Sequence, residues 1–90
     1  MSPSSLRILI ADDEADLRHG IRSQLQSREF VIDEASDGQV AWDMIQNQSY
    51  DLVLLDVRMP VMDGLEVLRR LRESRPSTTV AIITAQATVR

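Results

Sequence analysis

The sequence predicts an α/β fold: a doubly wound parallel sheet flanked by helices. Three observations predict it. Short aliphatic runs alternate with segments of helical period along the whole chain. The run DLVLLD (Asp51–Asp56) is apolar throughout, as a strand covered on both faces must be. Aspartates follow the runs LRILIA and LVLL, where strands of such sheets present their carboxyl ends. Strand-helix alternation leads to right-handed crossovers and a parallel sheet.

Met1 to Ser5 read as a flexible lead-in and residues 6–90 as one partial domain. Leu6 to Ala11 is the first strand, ended by Asp12 to Glu14. A helix follows, with Leu17, Ile21 and Leu25 one turn apart and Arg18, Arg22 and Gln26 expected to face water. Gly20 lowers the propensity of this helix, and close packing is the expected reason. Phe30 to Ala35 (FVIDEA) is the second strand. Ser36 or Asp37 can cap a second helix, Gly38 to Asn47, with Val40, Ala41, Met44 and Ile45 on its inner face. Asp51 to Asp56 is the third strand. Met59-Pro60 and Asp63-Gly64 mark turns in the loop that follows. A third helix runs from about Gly64 to Ser74, with Leu65, Val67, Leu68 and Leu71 apolar, and Pro76 lies past its end. Arg69, Arg70, Arg72 and Arg75 are expected to form a solvated face. Thr79 to Thr84 (TVAIIT) is a fourth strand, and Ala85 to Arg90 could begin a fourth helix.

Composition excludes several functions. Ninety residues allow one small domain. A net charge of −4 argues against a general nucleic-acid or membrane surface, and three aromatic residues do not make a base-stacking platform. Without cysteine there is neither a disulfide nor a thiolate metal site, and the one histidine, His19, cannot build a histidine cage. No apolar run approaches membrane-spanning length and no signal-peptide core is present, so a cytoplasmic protein is expected.

Asp12, Asp13 and Asp56 are the residues that carry chemistry. If the first and third strands are neighbours, as the flavodoxin-like order 2-1-3-4 makes them, these carboxylates converge in one crevice. Such a cluster repels itself unless a cation joins it. Magnesium accepts oxygen ligands in octahedral geometry, and two carboxylates, a backbone carbonyl and waters or substrate oxygens would satisfy it. An aspartate beside the metal can attack a phosphoryl group without a general base. Taken singly, each aspartate is better explained as a turn or capping residue. The set, with Met-Pro and Asp-Gly downstream, is not.

With ADDE at Ala11 to Glu14, LLDVRMPVMDG at Leu54 to Gly64 and IITA at Ile82 to Ala85, the chain resembles the receiver domains of two-component response regulators over residues 6 to 88. The resemblance implies that Asp56 accepts a phosphoryl group from a sensor histidine kinase. It implies that Asp13, Asp56 and the Arg58 backbone carbonyl bind Mg²⁺ directly, with Asp12 acting through water. Thr84 matches the switch hydroxyl that bonds the phosphoryl oxygens. Arg18, Ile21 and Arg22 are candidate kinase contacts. The ending IITAQATVR resembles regulators of transcription, so a C-terminal output domain is expected to be missing. The module would not be an enzyme beyond assisting its own phosphorylation and dephosphorylation.

The chain departs from the family pattern at its end. A complete receiver continues through a fourth helix, a fifth strand ending in a lysine, and a fifth helix; this chain has no lysine, all ten cationic side chains being arginine. The fourth strand would then be an open sheet edge. Three readings compete: a fragment of a longer regulator, a homodimer or swap completed by a second copy, and one half of a fused chain. A truncated assembly module with impaired phosphotransfer is the alternative function. An aspartyl-phosphate phosphatase is disfavoured, because such enzymes need an acid-base aspartate where Arg58 stands.

Overall fold

The computed structural model describes residues 6–26 and 29–83. Seven elements follow one another: β1 (Leu6–Ala11), α1 (Ala15–Leu25), β2 (Phe30–Ala35), α2 (Gly38–Asn47), β3 (Leu52–Asp56), α3 (Gly64–Ser74) and β4 (Thr79–Ile83). The strands form one parallel sheet in the order β2-β1-β3-β4, the order expected from the sequence. The expected flexible segment 1–5, Thr84 and the tail 85–90 lie outside the described residues.

Alternation along each strand divides the core into two layers. Leu9, Ala11, Val53 and Leu55 are almost wholly buried beneath α2 and α3, against Ala41, Ile45, Val67 and Leu71. The other sheet face carries Ile8, Ile10 and Ile32, with Ile21 and Leu25 of α1 laid across them. Each large aliphatic side chain removed from water contributes about 1.5–3 kcal/mol, so these two layers supply most of the drive to fold.

Local signals set the helix starts. The Asp37 carboxylate accepts the Val40 N–H at 2.8 Å and Asp63 accepts the Glu66 N–H at 2.9 Å, each satisfying one orphan donor of a first turn. Asp63 is thus a helix cap, in keeping with a turn role. α1 has no side-chain cap at Glu14; instead the Glu14 N–H donates to the Asp12 carboxylate at 2.7 Å.

Several expectations of detail fail. Gly20 is exposed and a Cβ there would meet nothing within 4 Å among the described residues, so close packing does not explain it. Val40 and Leu65 are 39% and 57% exposed, because each sits in a first helical turn that overhangs the rim of the sheet. Arg18 and Arg22 do not simply face water: both reach β2 and bond Glu34. The arginines of α3 are partly engaged, since Arg69 and Arg70 hold Glu66 and Arg70 lies over the Trp42 ring at 5.8 Å from its centroid.

Candidate metal centre

β1 and β3 are adjacent, with Ala11 level with Leu55. Carrying that register one step further puts Asp12 beside Asp56, just beyond the last pair that joins β1 to β3. The chain turns after Asp12, which brings Asp13 to the same end. One carboxylate oxygen from each of Asp12, Asp13 and Asp56 lies within 4.8 Å of the other two. Asp12 and Asp56 are buried; Asp13 is exposed at the mouth.

The cluster is poised for a cation. Burial pushes the Asp12 carboxyl up from its ordinary value, and the neighbouring charges of Asp56 and Asp13 push it further, against the opposing bond from the Glu14 N–H. Asp12 Oδ1 is occupied by that N–H, whereas Asp12 Oδ2 is buried with no partner among the described residues. A buried carboxylate with an unsatisfied oxygen, clustered with two further carboxylates, is a donor set that a hard divalent ion takes. The residues present therefore fit Mg²⁺.

The loop after β3 is held close by two glycines. A Cβ on Gly64 would stand 2.0 Å from the Asp56 carbonyl oxygen, and one on Gly38 would stand 1.6 Å from that of Met62. Only a residue without a side chain lets α3 start against the Asp56 backbone, and α2 start against the loop. The Gly64 N–H donates to the Val57 carbonyl at 2.8 Å. Between them, the Met62 N–H donates to the Pro60 carbonyl at 2.7 Å, closing a γ-turn around Val61, whose φ is 71°. Arg58 is exposed; its N–H donates to Asp56 Oδ1 at 3.3 Å.

Of the residues singled out in the sequence, Asp12, Asp13, Asp56 and Arg58 come together, and Thr84 lies outside the described residues. Reading the sequence put Arg18 on the solvent face of α1 and missed Glu34. The Arg18 guanidinium donates through Nε to Glu34 Oε1 at 3.0 Å and through Nη1 to the Asp12 backbone carbonyl at 2.7 Å. Arg22 donates to the other Glu34 oxygen at 3.0 Å, and His19 lies 3.5 Å from Glu34. Burial pushes the Glu34 carboxyl up, but Arg22, Arg18 and His19 together outweigh it and leave the group below its ordinary value. The signal available was the pair Asp33-Glu34 inside a strand: successive residues point to opposite faces, so each carboxylate needs its own partner. On the other face Asp33 accepts the Tyr50 hydroxyl at 2.6 Å.

A crevice at the carboxyl ends of adjacent parallel strands, lined by three carboxylates, defines an α/β module with an acidic pocket. Comparison with known proteins places it more narrowly. Residues 8–90 match the family model of the response regulator receiver domain. The chain is 44% identical over 85 residues to the sensor protein EvgS of Escherichia coli K12, and 39% identical over 84 residues to the response regulator MprA of Mycobacterium sp. KMS. These matches cover 94% and 93% of the chain but only 7% and 36% of the two relatives. Among solved structures it resembles the Thermotoga maritima response regulator TrrA in complex with Mg²⁺ and BeF, with a TM-score of 0.85, 35% identity, and 91% and 71% of the two chains covered. The Francisella response regulator 1452 receiver domain gives a TM-score of 0.84 at 28% identity, with 94% and 70% covered. The chain belongs to the response regulator receiver domain family.

Proposed function

We propose that the chain is a phosphoacceptor module of two-component signalling, with Asp56 as the acceptor and a sensor histidine kinase as the donor. The observation that carries this reading is the convergence of the Asp12, Asp13 and Asp56 carboxylates, with Asp12 Oδ2 buried and without a partner among the described residues. Asp13, Asp56 and the Arg58 carbonyl would hold Mg²⁺ directly, and Asp12 would act through a metal-bound water. The bound ion would neutralise charge on the transferring group.

The chain's own residues do the rest. An Asp56 carboxylate oxygen attacks phosphorus, the bond from phosphorus to the donor imidazole nitrogen breaks, and the imidazole leaves with its electron pair and takes up a proton from solvent. The product is an acyl phosphate on Asp56. The Arg58 N–H on Asp56 Oδ1 and the crowding of Gly64 against its backbone hold the carboxylate in place. Thr84 would meet the phosphoryl oxygens and shift a pre-existing equilibrium between output surfaces. No helix among the described residues is long and apolar enough to cross a membrane.

The test is direct. The protein is incubated with Mg²⁺ and a small phosphodonor such as acetyl phosphate, and its intact mass is followed. A gain of one phosphoryl group, lost in Asp56→Asn and on chelation of the metal, is expected. An unchanged mass, together with no shift of the Asp12, Asp13 and Asp56 amide resonances on adding beryllofluoride and Mg²⁺, refutes the assignment.

A further inference from the structure

We propose that Arg18 is a positioning residue for the metal centre, fixing Asp12 through its backbone rather than serving as a free contact on the surface of α1. The proposal rests on the metal-binding reading above. The Arg18 side chain is only 14% exposed, although α1 has no fully buried residue among those described. Its fork is divided between two partners on different elements: Nε on Glu34 of β2 and Nη1 on the Asp12 carbonyl. Arg22 bonds the other Glu34 oxygen at 3.0 Å and does not reach Asp12. The Asp12 N–H donates to the Ala35 carbonyl at 3.1 Å. The Asp12 backbone is thus held on both sides of its Cα, by Ala35 and by Arg18, and its carboxylate is held at Oδ1 by the Glu14 N–H. What remains is Oδ2, buried with no partner among the described residues, on a carboxylate that lies in one cluster with those of Asp13 and Asp56. Outer groups that orient metal-binding carboxylates in this way typically change metal affinity by about ten-fold or more when removed.

Arg18 is cationic, and this gives the proposal a sign. If its only influence on the site were charge, removing it would make Mg²⁺ bind more tightly, because a cation near a cation site is repulsive. If it positions Asp12, removing it weakens binding despite the lost repulsion. A lysine has a single ammonium and cannot span both partners, so charge without the fork should not restore the site.

The experiment titrates Mg²⁺, and Mn²⁺ by its electron paramagnetic resonance signal, into the wild-type protein, Arg18→Met, Arg18→Lys and Arg22→Met. Arg22→Met is the control, since it removes an equally short bond to Glu34 without touching Asp12. The expected result is a dissociation constant raised about ten-fold in Arg18→Met, a comparable rise in Arg18→Lys, and a change under about two-fold in Arg22→Met. Unchanged or tighter binding in Arg18→Met, or equal weakening in Arg22→Met, overturns the positioning role and leaves the metal centre standing. Should Arg18→Met fail to fold, Arg18→Lys against Arg22→Met decides alone by the same criterion. No binding of either ion to the wild-type protein overturns the metal-centre reading, and the positioning role with it.

Discussion

Val61→Gly should stabilise this protein. Val61 is β-branched, 80% exposed, and held at φ 71°, a region that L side chains other than Asn and Asp rarely enter. The cost of holding a non-glycine residue there is about 1–2 kcal/mol. Glycine removes that strain but adds about 0.5–1 kcal/mol of backbone entropy to the unfolded chain. So exposed a side chain contributes little by burial, leaving a net gain of about 0.8 kcal/mol at the middle of these two opposing ranges. For a domain of this size the gain raises Tm by about 3–6 °C. Urea unfolding followed by circular dichroism is the assay, with the midpoint expected to rise at constant slope. The γ-turn bond from the Met62 N–H to the Pro60 carbonyl is unchanged by the substitution. A midpoint that falls would show that the Val61 conformation carries no strain. Val61→Pro, which fixes φ near −65°, should move the midpoint in the opposite direction.

Asp56→Asn should raise the stability of the metal-free protein by about 1 kcal/mol, by removing one of the three mutually repelling charges, and should abolish further stabilisation by Mg²⁺; melting with and without the ion reads both effects. In the wild type, Mg²⁺ at ten times its dissociation constant should add about 1.4 kcal/mol, visible as a concentration-dependent Tm. Gly38→Ala should cost about 3 kcal/mol or more, because its Cβ would meet backbone rather than a movable side chain, and denaturant unfolding measures the loss. The lowered Glu34 carboxyl predicts an acid limb: its stabilisation is fully present above the ordinary carboxylate value of 4.5 and is lost as pH falls through the lower folded value. Glu34→Gln should flatten that limb, as acid titration of the unfolding free energy would show.

The sheet was legible because each strand is short, aliphatic and ended by a turn or an acid, and because DLVLLD tolerates only a doubly covered position. The acidic cluster was legible because strand ends are where such sheets present side chains, so Asp12 and Asp56 needed only the adjacency of β1 and β3. Arg18 was misplaced for a physical reason. Helical period assigns it to the outer half of α1, but its long side chain curls back over the rim to Glu34 and the Asp12 carbonyl, and that depends on the rotation of α1 against β2. Val40 and Leu65 show the converse, apolar residues of the inner stripe that overrun the edge of the sheet. The Met-Pro-Val-Met sequence announces a turn but not the sign of φ at Val61, which is set by the closure of the loop onto Gly38.

The two glycine contacts make the segment from Val57 to Gly64 a mechanical link rather than a slack connection. Met62 bears on the first residue of α2, and the Asp56 carbonyl bears on the first residue of α3, with no side-chain cushion at either point. Close-packed surfaces of this kind transmit displacement instead of absorbing it. A shift of the Asp56 backbone by a fraction of an ångström must therefore push the start of α3, and a shift of the loop must push the start of α2. Chemistry at one carboxylate would be felt as leverage on two helices on the same side of the sheet.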